Sequence, residues 1–190
     1  PADLVYSDYL RSHGFDGDNP WETWANSAVN EKSKIVSGWQ MRNAHLAARV
    51  PEEHSETAFV TDRAIEYLDG LQAGEPWCMH LSYIKPHWPY LAPAPYHELY
   101  GAEDILPAVR SNQEKENAHP VYQAFMAQDY SENFSRDEVR QTVIPTYMGL
   151  IQQVDHHIGR VLTKLEEKGL RDSTMIVLTS DHGDYLGDHW

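Results

Sequence analysis

Thr174-Met-Ile-Val-Leu-Thr-Ser-Asp-His-Gly-Asp-Tyr-Leu-Gly-Asp-His-Trp190 decides how the chain is read. It opens as a short apolar run rich in β-branched residues, the pattern of a strand buried on both faces. At Ser180-Asp181-His182-Gly183 the polarity changes abruptly, and a glycine permits a tight turn. A carboxylate and an imidazole at the end of a buried strand are divalent-metal ligands on a rigid support. In open α/β sheets ligands gather at the carboxyl ends of strands, where this pair would sit. On composition alone a solvated turn explains Asp181-His182-Gly183 equally well, since all three are ordinary turn residues.

Upstream, Ser135-Arg-Asp-Glu138 has the form of a capping box opening a long helix. Val139, Val143, Tyr147, Leu150, Ile151, Val154, Ile158, Val161, Leu162 and Leu165 form its apolar stripe. Pro145 should bend it or mark its true start, and Gly169 ends it. A second helical pattern runs from Glu56 to Leu71, with Val60, Ala64, Tyr67, Leu68 and Leu71 on one face and Ala73-Gly74 closing it. Trp77–Ile84 then reads as a second, central strand carrying Cys78 as a buried structural thiol. That strand runs into Lys85-Pro86-His87-Trp88-Pro89-Tyr90, where two prolines stiffen a loop from which His87 projects. Such a loop suits contact with an anion, although a connector with its histidine packed among aromatics is the plainer reading of the loop by itself.

Helix, strand, long loop, helix, strand is the order of an α/β fold with a mostly parallel central sheet flanked by helices. The expected organisation is one domain. Residues 1–55 are irregular and aromatic-rich, with Asp16, Asp18 and Asn19 in a plain turn. Residues 56–90 are a helix-strand-loop unit, residues 91–134 a long loop or lid over a site, and residues 135–190 a helix, strand and metal loop. The chain begins at Pro1 without Met and stops at Trp190 just after a turn, which reads as an internal segment of a longer protein.

Composition narrows the function. A hydrophobic content of 41% is that of a folded protein. A formal charge of −14 leaves no basic excess for phosphate backbones, which argues against a nucleic-acid partner. Eleven histidines favour metal or acid–base chemistry. The single Cys78 excludes an internal disulfide and fits a reducing, cytoplasmic setting. No apolar run reaches the roughly 18 residues of a membrane span, so no membrane partner is expected.

Ser82-Tyr-Ile-Lys-Pro-His-Trp-Pro-Tyr90, taken with Thr174–His189, resembles the sulfatase branch of the alkaline phosphatase superfamily. Tyr147-Met-Gly-Leu-Ile-Gln-Gln-Val-Asp155 and Ile158-Gly159 fit that family's approach to its final metal motif. Asp8-Tyr-Leu-Arg-Ser-His-Gly-Phe-Asp-Gly-Asp-Asn-Pro-Trp21 looks more specifically like bacterial phosphonate monoester hydrolases and phosphodiesterases. The resemblance implies a segment of the alkaline-phosphatase-like fold, and a metal-dependent hydrolase of phosphonate monoesters or phosphodiesters. A sulfatase of the aryl or choline type and a non-catalytic relative are the alternatives. It makes Asp181 and His182 ligands of a divalent Mn, Zn, Fe or Ca ion, and His87 the substrate-binding and catalytic histidine for a small anionic ester. It also implies a homo-oligomer and a formylglycine nucleophile made in a Cys-x-Pro/Ala-x-Arg signature that residues 1–190 do not contain. The segment by itself is therefore expected to be inactive. For Asp184, Asp188, His189 and His54, ordinary surface positions serve as well as ligand roles.

Overall fold

The computed structural model describes residues 5–72 and 74–190. Its elements are α1 (Val5–Ser12), β1 (Ser27–Val29), β2 (Ile35–Ser37), α2 (Glu56–Gly70), α3 (Pro120–Met126), α4 (Asp129–Phe134) and α5 (Asp137–Glu167), joined by loops, 3-10 turns and a π-helical turn at Trp21–Ala25. The Ser55 side chain caps α2 by accepting from the Ala58 amide at 3.2 Å. The helix ends at Gly70, with Leu71 as its C-cap, so it does not run on to the expected Ala73-Gly74 close. Ala73 lies outside the described residues.

The capping box expected at the start of α5 does not form. Ser135 closes α4, and its hydroxyl donates back to the Glu132 carbonyl at 2.7 Å, so it is not available to the next helix. α5 begins at Asp137 and continues unbroken through Pro145, whose missing amide removes only one helical hydrogen bond. Its buried face carries Val143, Leu150, Val161 and Leu165, all expected, together with the polar Thr146, Gln153 and His157. Ile151, placed on the expected apolar stripe, faces solvent.

The expected parallel central sheet is absent among the described residues. The sheet present is one short antiparallel hairpin of β1 and β2, in the register Ser27↔Ser37, Ala28↔Val36, Val29↔Ile35. Trp77–Ile84 keeps the period-two signature of an extended chain: Trp77, Met79, Leu81 and Tyr83 are partly buried, whereas Cys78, His80, Ser82 and Ile84 are exposed. Its inner face packs on a layer formed by Ala64 and Leu68 of α2 with Val161 and Leu165 of α5. Its outer face is bare, which puts the Cys78 thiol on the surface and not in a core. Met175, Val177 and Leu178 are likewise exposed, although their run was expected to be buried on both faces. Strand character needs a lateral neighbour to take up backbone N–H and C=O groups, and no described strand pairs with either run.

Polar side chains pin α5 to the first third of the chain. The Thr146 hydroxyl donates to the Ala44 carbonyl at 2.9 Å, and Gln153 donates to the Ser55 hydroxyl at 2.9 Å and to Glu52 at 3.2 Å. Arg160 stands 3.1 Å from His157 Nδ1 and can only donate. Nδ1 of His157 thus accepts, and its Nε2–H donates to Glu52 Oε1 at 2.6 Å. That hydrogen bond is the main influence holding the Glu52 carboxyl below its usual range, against the effect of burial. The other arm of Arg160 reaches Asp62 of α2 at 2.7 Å.

α5 also passes very close to the turn at Tyr96–Glu98. A Cβ on Gly149 would lie 2.0 Å from the Tyr96 carbonyl oxygen, whereas one on Gly159 would meet nothing within 4 Å. Gly149→Ala should destabilise the protein by about 1–3 kcal/mol through overpacking. Gly159→Ala should stabilise it by up to about 1 kcal/mol through helix propensity. Urea unfolding of the two variants distinguishes them, and shifts of the same sign would contradict the close approach.

Candidate active site

The Lys85–Tyr90 loop is braced from inside. The Lys85 ammonium donates to the Pro89 carbonyl at 2.6 Å, closing a small ring beneath His87. Burial lowers its pKa to about 8, with Glu56 acting in the opposite direction. Lys85 therefore faces the loop it supports, and His87 points outward. His87 Nδ1 lies 2.6 Å from the Trp88 carbonyl. Since a carbonyl only accepts, Nδ1 carries the proton and Nε2 is left for another partner.

His87 shares a cleft of about 670 Å³ with His182. Trp88, Tyr122 and Phe125 give part of the cleft an aromatic wall, and the segment Gly183–Gly187 forms another side. The two loops singled out in the sequence thus converge on one cavity. Asp181 is highly exposed beside it: its Oδ1 accepts the His182 amide at 2.9 Å, and its Oδ2 stands 3.6 Å from His182 Nε2. His182 Nδ1 lies 2.7 Å from the Gly183 carbonyl, so this ring too carries its proton on Nδ1 and offers Nε2. The carbonyl contact, followed by the charge of Asp181, raises the His182 pKa. The His182 amide, followed by the charge of His182, lowers that of Asp181.

The remaining candidates divide between support and distance. Asp184 is a support: its Oδ2 accepts from the Tyr90 phenol at 2.5 Å and from Tyr130 at 3.1 Å, and its Oδ1 accepts the Leu186 amide at 3.1 Å. The two phenols also touch each other. Burial, then the hydrogen bond to Asp184, raises the Tyr90 pKa far above its ordinary value, so the phenol remains a donor. Asp188 accepts the Val109 amide at 3.0 Å and stands 3.5 Å from Arg140, while the His189 amide donates to the Val109 carbonyl at 2.8 Å. His54 lies elsewhere, in an aromatic cluster with Tyr9 and Phe15.

Sequence reasoning passed over Tyr90, Tyr130 and Arg140. Arg140 is buried and donates to the Leu186 carbonyl at 3.1 Å and the Leu106 carbonyl at 3.3 Å. Gly187 sits against it with φ +92, where a Cβ would lie 2.5 Å from the Phe134 carbonyl oxygen. An arginine three residues before Val143, and so on the same face of α5, was the available signal.

The family model described as Sulfatase matches residues 7–190, and the chain belongs to that family. A multifunctional alkaline phosphatase superfamily protein, PehA, from Trinickia caryophylli is 40% identical over 155 residues, covering 75% of this chain and 30% of its own length. A choline-sulfatase from Rhizobium meliloti is 29% identical, covering 72% of this chain and 28% of its own. The phosphonate monoester hydrolase SpPMH from Silicibacter pomeroyi superposes with a TM-score of 0.78 at 31% identity, over 97% of this chain and 37% of that one. The phosphonate monoester hydrolase of Agrobacterium radiobacter shares the fold, with a TM-score of 0.81 at 24% identity, over 100% and 38%. The chain thus spans about a third of the length of these relatives. No helix among the described residues is long and apolar enough to cross a membrane.

Arg140→Ala should leave the Leu186 and Leu106 carbonyls without their donor, at a cost of about 1–3 kcal/mol. Hydrogen exchange should accelerate at the His189 amide and stay unchanged in the interior of α2. Unchanged exchange at His189 would show that Arg140 does not hold the loop.

Proposed function

We propose that a protein carrying this segment is a metal-dependent hydrolase of phosphonate monoesters or phosphodiesters, using a formylglycine nucleophile supplied outside residues 1–190. The observation that carries this reading is the convergence of His87 and His182 on one cleft. The 31% identity to a phosphonate monoester hydrolase over nearly the whole segment supports it.

The donor chemistry fits a divalent metal as part of a shell. Asp181 and His182 offer one oxygen and one nitrogen, a mixed set that suits Mn, Zn or Fe better than Ca. Two donors are fewer than the four such ions usually take, and no cluster of three His, Cys, Asp or Glu forms among the described residues. When bound, the metal would polarise an ester oxygen and favour an ionised nucleophile. Hydrogen bonding keeps the Asp181 carboxylate ionised, and the Gly183 carbonyl keeps His182 in the tautomer whose Nε2 has a free lone pair. His87, turned by the Trp88 carbonyl, would direct Nε2 at the anionic group or the leaving oxygen of a small anionic ester. In its protonated form it would donate there, a role worth roughly 10²–10⁴ in rate. The aromatic wall suits an ester with an apolar group and helps to exclude water.

Asp181→Asn in the full-length protein should abolish metal-dependent turnover, and retained turnover would sink the assignment. In the wild type, calorimetric Mn²⁺ affinity should weaken as pH falls through a midpoint above the ordinary histidine value of about 6.5. The sign follows from the raised His182 pKa, because protons compete with metal from a higher pH downward.

The second reading, a sulfuric ester hydrolase, is supported by the arylsulfatase and choline-sulfatase among the relatives. With matched aryl leaving groups, kcat/KM should be higher for the phosphonate monoester than for the sulfate monoester. The reverse order would favour the sulfatase reading.

A further inference from the structure

The loop that carries His182 and the loop that carries His87 have no direct link through either histidine, yet one carboxylate joins them. Asp184 follows His182 by two residues and Tyr90 follows His87 by three. The Tyr90 phenol is buried at 1% exposure and donates to Asp184 Oδ2 at 2.5 Å across 94 residues of chain. Tyr130 of α4, within the long 91–134 connection, adds a second donor to the same oxygen at 3.1 Å. The other oxygen, Oδ1, accepts the Leu186 amide and so shapes the turn that follows the metal motif. Asp184 thus spends both oxygens on support, and its three partners come from three separate parts of the cleft wall.

We propose that Asp184, gripped by Tyr90 and Tyr130, is a positioning residue that fixes the Asp181-His182 loop relative to His87. The inference rests on the reading of Asp181 and His182 as metal ligands. A carboxylate that only decorated an exposed turn would not take two aromatic hydroxyls, one of them fully buried. Carboxylates that orient ligating groups from behind typically change metal affinity or activity by 10–100-fold when removed. An apolar substitution at Tyr90 or Asp184 breaks the same contact from opposite ends, so their effects should overlap instead of adding.

The test uses the full-length protein, with Mn²⁺ affinity by calorimetry and steady-state kinetics on an aryl phosphonate monoester. Asp184→Ala should weaken Mn²⁺ binding and lower kcat/KM by about 10–100-fold. Asp184→Asn keeps an acceptor oxygen and should recover most of the loss. Tyr90→Phe should cost less than Asp184→Ala, and the double variant should be no worse than Asp184→Ala alone. Additive losses, or an Asp184→Asn as impaired as Asp184→Ala with Tyr90→Phe silent, would overturn the proposal and make Asp184 an independent ligand. If Asp184→Ala does not fold, Tyr90→Phe/Tyr130→Phe carries the test, and unchanged Mn²⁺ affinity in that variant refutes the clamp. Failure of the underlying reading is separable: Asp181→Asn would then leave Mn²⁺ affinity intact, whereas a failed clamp alone leaves Asp181→Asn defective.

Discussion

Burial of one face of α5 is the constraint on which the other parts depend. At 31 residues the helix is about 46 Å long, and it reaches the Tyr90 loop, α4 and the Leu186 turn that contribute to the cleft. Its N-terminal half holds the aromatic core of Tyr90 and Phe134 through Val143, and anchors the Leu186 turn through Arg140. Its middle approaches the Tyr96 turn at Gly149, and its C-terminal half forms with α2 the platform for Trp77, Met79 and Leu81. The buried polar groups on that face add direction to adhesion. Apolar contacts would tolerate a sliding helix, whereas Thr146, Gln153 and His157 each require a particular partner at hydrogen-bond distance.

The cleft inherits its shape from that rigid support. His87 stands on a loop closed from within by Lys85, and the Asp-His loop is tethered through Asp184, Arg140 and Asp188. The candidate histidines themselves are exposed and lightly bonded, each with one ring nitrogen left available because a backbone carbonyl occupies the other. Rigid supports with open tips are what a site needs if substrate or metal is to complete it.

The helices were legible because their information is local. The Glu56–Leu71 periodicity and the observed Glu56–Gly70 agree to one residue, and of the α5 stripe Val143, Leu150, Val161 and Leu165 are buried, with all the others but Ile151 partly buried. The strands were legible only as extended chain: Trp77–Ile84 alternates as a strand should, but pairing is a property of neighbours that no local pattern specifies. The Cys78 assignment failed for the same reason, since a thiol on the bare face has no layer above it. The capping box at Ser135 failed because α4 ends there and takes the hydroxyl first. At the cleft, the loop bearing Asp181 and His182 stood out through an abrupt polarity change after an apolar run, and the loop bearing His87 through its flanking prolines. The phenol–carboxylate contact joins residues 94 positions apart and had no local signature. Gln153 and His157 escaped notice because an apolar stripe is sought by hydrophobicity, and a polar group enters such a stripe only when a distant partner satisfies it.

The spacing of those distant partners also bears on how the chain is made. Thr146, Gln153 and His157 of α5 reach back to Ala44, Ser55 and Glu52 across 102, 98 and 105 residues. Closing loops of that length is slow, and the closing contacts cannot exist until most of α5 has been synthesised. A nascent chain emerging at about 5–20 residues per second would carry α2 and the Trp77–Ile84 run for several seconds without their cover. During translation the apolar inner face of that run therefore waits for α5, whose Val161 and Leu165 complete the layer against which it packs.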